Sequence, residues 1–354
     1  MAIKELAYAA QQHLQAGTGG SFKRAHIYEL LAAFFGFNSY AALTGQAVLT
    51  EYGGGAEGDG QAVGKRCAKL GFTSTIAQLV VSLLPVFIAE RRIGLVPLSD
   101  LVAWLRDDCT EEYFEWREGY RNKTLSPILL DGLTDAANKG NALAHYALAL
   151  LTAPDDEGDH ELGSSYWYSQ GLAGRVLVGV EKEWSDAYAR GLEMAKAYSV
   201  HLREAARLGN EQALLDLAER FGDAAFFERS HHDVSDDPWR VAEIADRLGR
   251  PSDTRKWLTA AAETGDTEAM RRLIEEFGHA DLQQCWTWLY LARLFGTDLT
   301  ASEHYAIHED GSRYNDDVGG PAFLDGRDGV KLVPLDPKQD AAARRAAEAL
   351  FQQI

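Results

Sequence analysis

The stretch from Arg255 to Gly278, RKWLTAAAETGDTEAMRRLIEEFG, has the pattern of two helices joined by a tight turn. Its centre consists of two alanines, two further residues, a glycine followed by Asn or Asp, two more residues and an alanine. We call this pattern the kernel, and it occurs three times: Ala261-Ala262/Gly265-Asp266/Ala269, Ala136-Ala137/Gly140-Asn141/Ala144 and Ala205-Ala206/Gly209-Asn210/Ala213. Three occurrences predict an array of stacked helical pairs, because one pair cannot cover its own apolar face.

Each kernel position has a physical reason. Paired small residues let two antiparallel helices approach closely, and the glycine permits a sharp turn between them. The Asn or Asp after the glycine can cap the next helix. Residues four apart share one helix face, so the second helices are expected to bury Ala144 with Leu148, Ala213 with Leu217, and Ala269 with Leu273.

The kernel, with Trp257 four residues before Ala261, resembles the Sel-one-like repeat family, a relative of the tetratricopeptide repeats. The resemblance is closest over Asp253–Gly278. It implies an α/α solenoid that binds a protein or peptide on its concave side and has no chemistry of its own. The repeat unit of the family is usually in the mid-thirties of residues long, whereas the kernel glycines here lie 69 and then 56 residues apart. We therefore expect an irregular solenoid with diverged units or insertions.

If the resemblance holds, exposed positions on the second helix of each unit carry recognition. We count three, seven and ten or eleven residues past the kernel glycine. These positions are Gln212, Asp216 and Arg220 in one unit, and Glu268, Arg272 and Glu275 in another. The helical period puts each set on one polar stripe, and the two stripes are predicted to be adjacent. The alternative is a solvated face held by local pairs such as Glu268–Arg272, each worth a few tenths of a kcal/mol.

The rest of the chain predicts an all-α protein with a distinct beginning and end. Helix-period residues at 3–16 and 22–35 and a Ser39-capped helix at 40–49 indicate an N-terminal helical module. Ala322–Val333 contains an Asp-Gly turn between β-favouring runs and predicts a short hairpin. The expected domains are a helical module at 1–50, a Gly-rich linker at 51–60, the repeat array at 61–301, a loop and hairpin insertion at 302–336, and a capping helix at 337–354.

Charge separates the two ends of the chain. Residues 1–99 hold 8 Lys+Arg against 6 Asp+Glu, which leaves 27 against 47 for residues 100–354 and a net charge of −20 there. Such a surface repels phosphate backbones, so it disfavours nucleic acid and favours a basic protein or peptide partner.

A second hypothesis is a regulator whose N-terminal module binds nucleic acid. Residues 26–40 contain two helices that meet at Gly36, as in a DNA-binding helix-turn-helix. The second helix, however, would present Tyr40, Ala41 and Ala42, without an Arg or Asn to reach base edges. A buried helical pair is the preferred interpretation.

A third hypothesis is a metal-dependent hydrolase. His304 and His308 are four residues apart beside Glu303 and Glu309, a spacing that puts both imidazoles on one helical face. They lack the HExxH order, and a solvated helix end is the preferred interpretation. The loop that holds His231 and His232 has no rigid element to fix ligands. We expect no enzyme activity, no cofactor and no metal.

Three features bear on location. The three cysteines are far apart and show no CxxC spacing, which is typical of a reducing cytoplasm. The N-terminus lacks an uninterrupted apolar core and is not expected to be a secretory signal. The longest apolar segment, Ile76–Ala89, is too short to span a bilayer and predicts a buried helix.

Overall fold

The computed structural model is predominantly helical. It describes residues 2–51, 58–107, 120, 125–154, 163–229, 237–278, 281–309, 311–314 and 321–354. Sixteen α-helices and two two-stranded antiparallel sheets lie within these residues, which confirms an all-α fold with a short hairpin near the C-terminus. None of the described helices combines the length and the apolar composition that crossing a bilayer requires.

The chain folds as two compact units, Met1–Leu217 and Ala218–Ile354. The boundary between them falls inside a helix. The helices of the first unit are α1 Ile3–Thr18, α2 Arg24–Phe34, α3 Tyr40–Gln46, α4 Gly60–Lys69, α5 Ser74–Glu90, α6 Leu98–Arg106, α7 Pro127–Asn138, α8 Ala142–Thr152, α9 Ser164–Leu172, α10 Val180–Arg207 and the first turns of α11 Glu211–Phe221. Strands β1 Ala47–Thr50 and β2 Gly94–Pro97 form its sheet.

Residues 1–50 share a hydrophobic core with the residues that follow the predicted linker. Leu6 of α1 and Leu31 of α2 belong to one buried cluster with Val80 of α5 and Ile128 of α7. Strand β1 adds a second link, because it pairs with β2 more than forty residues later. The prediction of a helix to Leu49 is wrong at its end, where Ala47–Thr50 is extended. Linker residues 52–57 lie outside the described part.

All three kernels close their first helix in the same way. The glycine adopts a left-handed φ, which is +82° at Gly140, +92° at Gly209 and +102° at Gly265. The glycine N–H donates to the carbonyl of the second alanine, and the next N–H donates to that of the first, at 2.8–3.1 Å. These two hydrogen bonds form the Schellman motif, so the alanine pair and the glycine together terminate the helix.

The residue after each glycine caps the second helix, as the sequence predicts. Asn141, Asn210 and Asp266 accept a hydrogen bond from the N–H of the last kernel alanine at 3.1, 2.8 and 3.0 Å. All kernel alanines are buried. The kernel residues therefore determine the local geometry of the turn between the two helices of a pair.

The same pair of hydrogen bonds also closes helices outside the kernels, at Gly36, Gly71, Gly174, Gly249 and Gly296. The turn at Gly174 lies between the first two kernels. Gly174 has φ +91°, its N–H bonds to the Gly171 carbonyl, and the Arg175 N–H bonds to the Gln170 carbonyl, both at 3.0 Å. Gly174 lies 34 residues after Gly140 and 35 before Gly209. The turn glycines at 140, 174 and 209 are thus spaced as in a repeat with a period in the mid-thirties. At the Gly174 turn, Gln170 and Gly171 stand where the kernels have the alanine pair.

The second unit is built from helical pairs and a C-terminal helix. Its elements after α11 are a 3-10 turn at Ala224–Phe226, α12 Pro238–Arg247, α13 Pro251–Glu263, α14 Thr267–Phe277, α15 Leu282–Leu294, β3 Glu303–Ile307, β4 Phe323–Arg327 and α16 Pro337–Phe351. One buried cluster joins Leu258, Met270 and Leu289 of successive helices with Ala343 and Ala347 of α16. Asp336 caps α16, accepting from the N–H groups of Lys338 and Gln339.

The hairpin near the C-terminus differs in its strands from the sequence prediction. The run Ala322–Val333 contributes only β4, and its partner is β3, which pairs with it in antiparallel register from Glu303↔Arg327 to Ile307↔Phe323. The Asp325-Gly326 pair lies within β4 and makes no turn between strands. Gly326 has φ +124°, and a Cβ there would stand 1.9 Å from the Glu303 carbonyl oxygen, so glycine is required for the close approach of the strands.

Candidate interaction site

In the first unit, the predicted interface residues Gln212 and Asp216 belong to a polar network inside the protein. Asp216 is 9% exposed and accepts a hydrogen bond from the Tyr146 hydroxyl at 2.7 Å. Arg106 donates to the Tyr146 oxygen at 2.9 Å and to the Gln212 amide oxygen. Burial raises the pKa of Tyr146, and the Asp216 charge adds to this effect. The expectation that Asp216 is exposed to a partner is wrong, because the side chain is covered by neighbouring helices.

The third residue of this stripe, Arg220, is exposed in the last turn of α11. It lies beyond Leu217 and so belongs to the second unit, whereas Gln212 and Asp216 belong to the first. Because Asp216 is buried between Gln212 and Arg220 on the same helix, the three residues do not form one exposed stripe.

In the second unit, Arg272 is held by contacts on both sides. It donates to Glu276 through two nitrogens at 2.9 and 3.1 Å and to Asp246 of α12 at 3.1 Å. Its guanidinium also stacks over the Trp239 ring, 5.5 Å from the centroid. The side chain is 17% exposed, and the hydrogen bonds to Glu276 raise its pKa. The predicted local pair Glu268–Arg272 is replaced by these contacts.

Glu268 and Glu275 lie beside the hairpin. Glu268 accepts from Arg327 of β4 at 2.6 Å, and this hydrogen bond lowers the pKa of the carboxyl group. Glu275 accepts from Arg271 at 3.3 Å. Arg271 is 2% exposed and also donates to the Asp328 carbonyl beside the hairpin. Both acids retain exposed surface, so they are the members of the second stripe that a partner can reach.

His304 and His308 do not lie on a helical face, and that prediction is wrong. His304 is in β3, and its Nε2 atom lies 3.1 Å from an Asp328 carboxylate oxygen. The His308 ring packs on Tyr314 at 4.8 Å between centroids. Within the described residues, no group of three or more His, Cys, Asp or Glu side chains is arranged to hold a metal. His231 and His232 lie outside these residues.

The predicted helix-turn-helix segment is held in place by other parts of the first unit. Glu29 of α2 accepts from the Tyr40 N–H at 3.1 Å and forms an ion pair with Arg66 of α4. Arg66 also donates to the Asn38 carbonyl between the two helices. The Tyr40 ring packs on Tyr28 at 4.6 Å between centroids. This geometry fits the preferred interpretation of a packed helical pair.

Strongly exposed apolar side chains lie between two helices of the first unit, among the residues that the structure describes. Helix α9 ends at Leu172 and α10 begins at Val180. Between them the backbone is irregular, and Leu177 turns inward, 3.3 Å from where a Cβ on Gly171 would stand. The outward side chains, with their exposed fractions, are Leu172 (73%), Val176 (84%), Val178 (68%) and Val180 (54%). We call these four side chains the apolar patch.

An ion pair stabilises the segment from Leu172 to Val180 that carries the apolar patch. Arg175 bonds to Glu181 at 3.2 Å and lies over the Trp167 ring, 4.7 Å from its centroid. Val176 and Val178 flank the inward-facing Leu177 and are themselves exposed. The signal in the sequence is the run RVLV between Gly174 and Gly179, followed by Val180, because β-branched residues between two glycines favour extended backbone over helix.

A small cavity lies in the second unit between α13, α14 and α15. Its volume is about 200 Å³, below the roughly 300–1,000 Å³ of small-molecule sites. Leu273, Phe277 and Trp288 supply apolar lining, and Arg255 and Asp281 supply charge. A volume of this size suits one side chain of a partner better than a whole metabolite.

Known proteins offer no guide to these surfaces. The chain matches no family model, no curated protein and no solved structure. The interpretation therefore depends on the geometry of the apolar patch, the charged stripes and the repeated helical pairs.

Proposed function

We propose that the protein is a non-catalytic adaptor that binds another protein through the apolar patch. The observation that carries this proposal is the exposure of Leu172, Val176, Val178 and Val180 on one short segment. Contiguous exposed apolar side chains on a folded protein mark interaction sites. Burial of such a side chain contributes roughly 1.5–3 kcal/mol before the entropic costs of association, so four of them can anchor a partner.

The proposed partner carries an apolar segment together with positive charge. The apolar segment would cover the patch, and the positive charge would complement the net charge of −20 over residues 100–354. Glu268 and Glu275 of the second unit are proposed as additional contacts for basic side chains. A cytoplasmic location fits the free, buried thiols of Cys67 and Cys285.

The helical pairs are proposed to be diverged Sel-one-like repeats. Support comes from the kernel turns, which share the alanine-to-glycine hydrogen bonds and the Asn or Asp cap. The Gly174 turn, with its spacing of 34 and 35 residues, supports a mid-thirties period in the first unit. Scaffolding is the role that such a resemblance implies.

The test compares two matched double variants of the full chain. Val176→Asp with Val178→Asp changes the apolar patch, and Leu192→Asp with Val200→Asp changes two apolar residues of α10 that are 44% and 51% exposed. Proteins captured from the native extract are quantified by mass spectrometry, and the affinity of each reproducible partner is then measured by calorimetry. We expect the first variant to lose a partner that wild type and the control retain. An identical set of partners with unchanged affinity would rule out the patch as the binding surface.

A further inference from the structure

Two histidines from neighbouring helices face each other in the first unit. His145 lies in the first turn of α8, and His201 lies in the C-terminal part of α10. Their Nδ1 atoms are 3.0 Å apart, and their ring centroids are 5.3 Å apart. Both side chains are half-buried, so an ion from solvent can reach the pair.

The surroundings orient one ring and place the Glu204–Arg207 ion pair near it. Burial lowers the pKa of His145, and a hydrogen bond to the backbone of Ala137 opposes this effect, as expected when an imidazole N–H donates to a carbonyl. Such a bond to a backbone carbonyl is the usual support of a metal-binding histidine, because it fixes the ring and directs the other nitrogen to the ion. Glu204, one helical turn after His201, brings a carboxylate near His145, and this carboxylate accepts a hydrogen bond from Arg207 at 2.9 Å.

The separation of the two nitrogens suits one metal ion. Imidazole nitrogens bind Zn²⁺ at about 2.0–2.1 Å, so two of them on a tetrahedral ion lie about 3.3 Å apart. The observed 3.0 Å is close to that distance. Because no third ligand converges with the pair among the described residues, water molecules would occupy the remaining positions.

We propose that His145 and His201 form a two-histidine Zn²⁺ site that joins α8 to α10. The ion replaces the direct contact between the Nδ1 atoms with two metal–nitrogen bonds and so stabilises this helix pair by mass action. The ligands must be neutral imidazoles, and burial lowers the pKa of both rings. Zinc binding therefore weakens as pH falls and protons compete for the same nitrogens.

The first experiment titrates ZnCl₂ into the full chain by calorimetry. The protein is purified without a histidine tag and stripped of metal with a chelator. We expect one ion per chain, and we expect His201→Gln to weaken binding about tenfold or more. His304→Gln is the control, because His304 lies in the hairpin of the second unit. It should bind like wild type.

Hydrogen–deuterium exchange provides a second readout that locates the ion. Zinc should slow exchange in peptides from 142–152 and 180–207, and His201→Gln should abolish this protection while the circular dichroism spectrum stays that of wild type. Absence of stoichiometric binding would overturn the proposal. Equal affinity in a His145→Gln and His201→Gln double variant would also overturn it, since the zinc would then be held adventitiously elsewhere.

Discussion

The kernels at Gly209 and Gly265 fold alike but contact their surroundings differently. Both glycines have a left-handed φ, both close a Schellman motif, and the residue after each glycine caps the next helix. Seven residues after the glycine, the Gly209 kernel has Asp216 in a buried network, and the Gly265 kernel has Arg272 between two exposed acids. The kernel thus determines the turn, and the helices packed against it determine what its polar residues do.

Asp216 and Arg272 allow the largest test of this comparison. Asp216→Ala should destabilise the first unit by about 3 kcal/mol, because it leaves the buried Tyr146 hydroxyl without its acceptor. Arg272→Ala should cost the second unit about 1 kcal/mol or less, since its partners Asp246 and Glu276 are 57% and 43% exposed.

The measurement is hydrogen exchange in peptides from 142–152 for Asp216→Ala and from 267–277 for Arg272→Ala, which follows each unit separately. Tyr146→Phe is the control for the network, because it removes the hydroxyl but keeps the ring. Equal losses in the two units would mean that both polar positions have the same environment.

The kernel glycines provide the second test. Gly209→Ala should cost about 1–2 kcal/mol, because alanine resists a left-handed φ and nothing else lies within 4 Å of its Cβ. Gly265→Ala should cost about 1 kcal/mol more, because the new Cβ would stand 2.9 Å from Cζ of Phe295. Gly45→Ala in α3 is the matched control, since that Cβ also meets no atom within 4 Å and no left-handed φ is required there.

Thermal unfolding followed by circular dichroism ranks these three variants. We expect Gly45→Ala to be neutral or slightly stabilising, because alanine favours helix over glycine. If Gly265→Ala were no worse than Gly209→Ala, the Phe295 ring would move aside freely, and the two turns would be equivalent in context as well as in geometry.

Local features of the fold were predictable from the sequence, and long-range ones were not. The alanine pair, the glycine and the capping Asn or Asp act within nine residues, so their pattern predicts the turn wherever it occurs. Asp216 meets Tyr146 across 70 positions of sequence, and β1 meets β2 across more than forty. Neither pairing leaves a periodic signal. Helical periodicity does not predict the apolar patch, because the chain leaves the helix between Gly174 and Gly179, both of which have a positive φ.

The third comparison concerns the residue eight positions before Gly209 and the residue eight positions before Gly265. It is His201 in the first unit and Trp257 in the second, where the ring packs on Phe226. Burial lowers the pKa of His201, and the neighbouring His145 adds to the effect. The pKa of His145 is also lowered by burial, with Arg207 contributing and Glu204 opposing. The folded state therefore binds fewer protons than the unfolded chain, whose imidazoles titrate near 6.5.

Stability of the first unit should be greatest above pH 6.5 and should fall as pH drops through 6.5 towards the lower folded-state pKa values. Urea unfolding at pH 7.5 and pH 5.5, followed by circular dichroism with chelator present, measures the loss. A His145→Gln and His201→Gln double variant should lose less stability than wild type over the same interval. The same pH dependence in both proteins would assign the effect to other groups.

The smallest expected effect distinguishes a structural contact from a binding surface. Glu268 and Arg327 are 41% and 46% exposed, so Glu268→Gln should change stability by less than about 0.5 kcal/mol, and salt should reduce the change further. Because the Arg327 hydrogen bond lowers the pKa of Glu268, the contribution is present above about 4.5 and disappears as pH falls below it. Glu263→Gln, on an exposed position before the same kernel glycine, is the control. If Glu268→Gln weakens partner binding while Glu263→Gln does not, Glu268 recognises the partner, because the loss would exceed anything its pairing with Arg327 contributes to the fold.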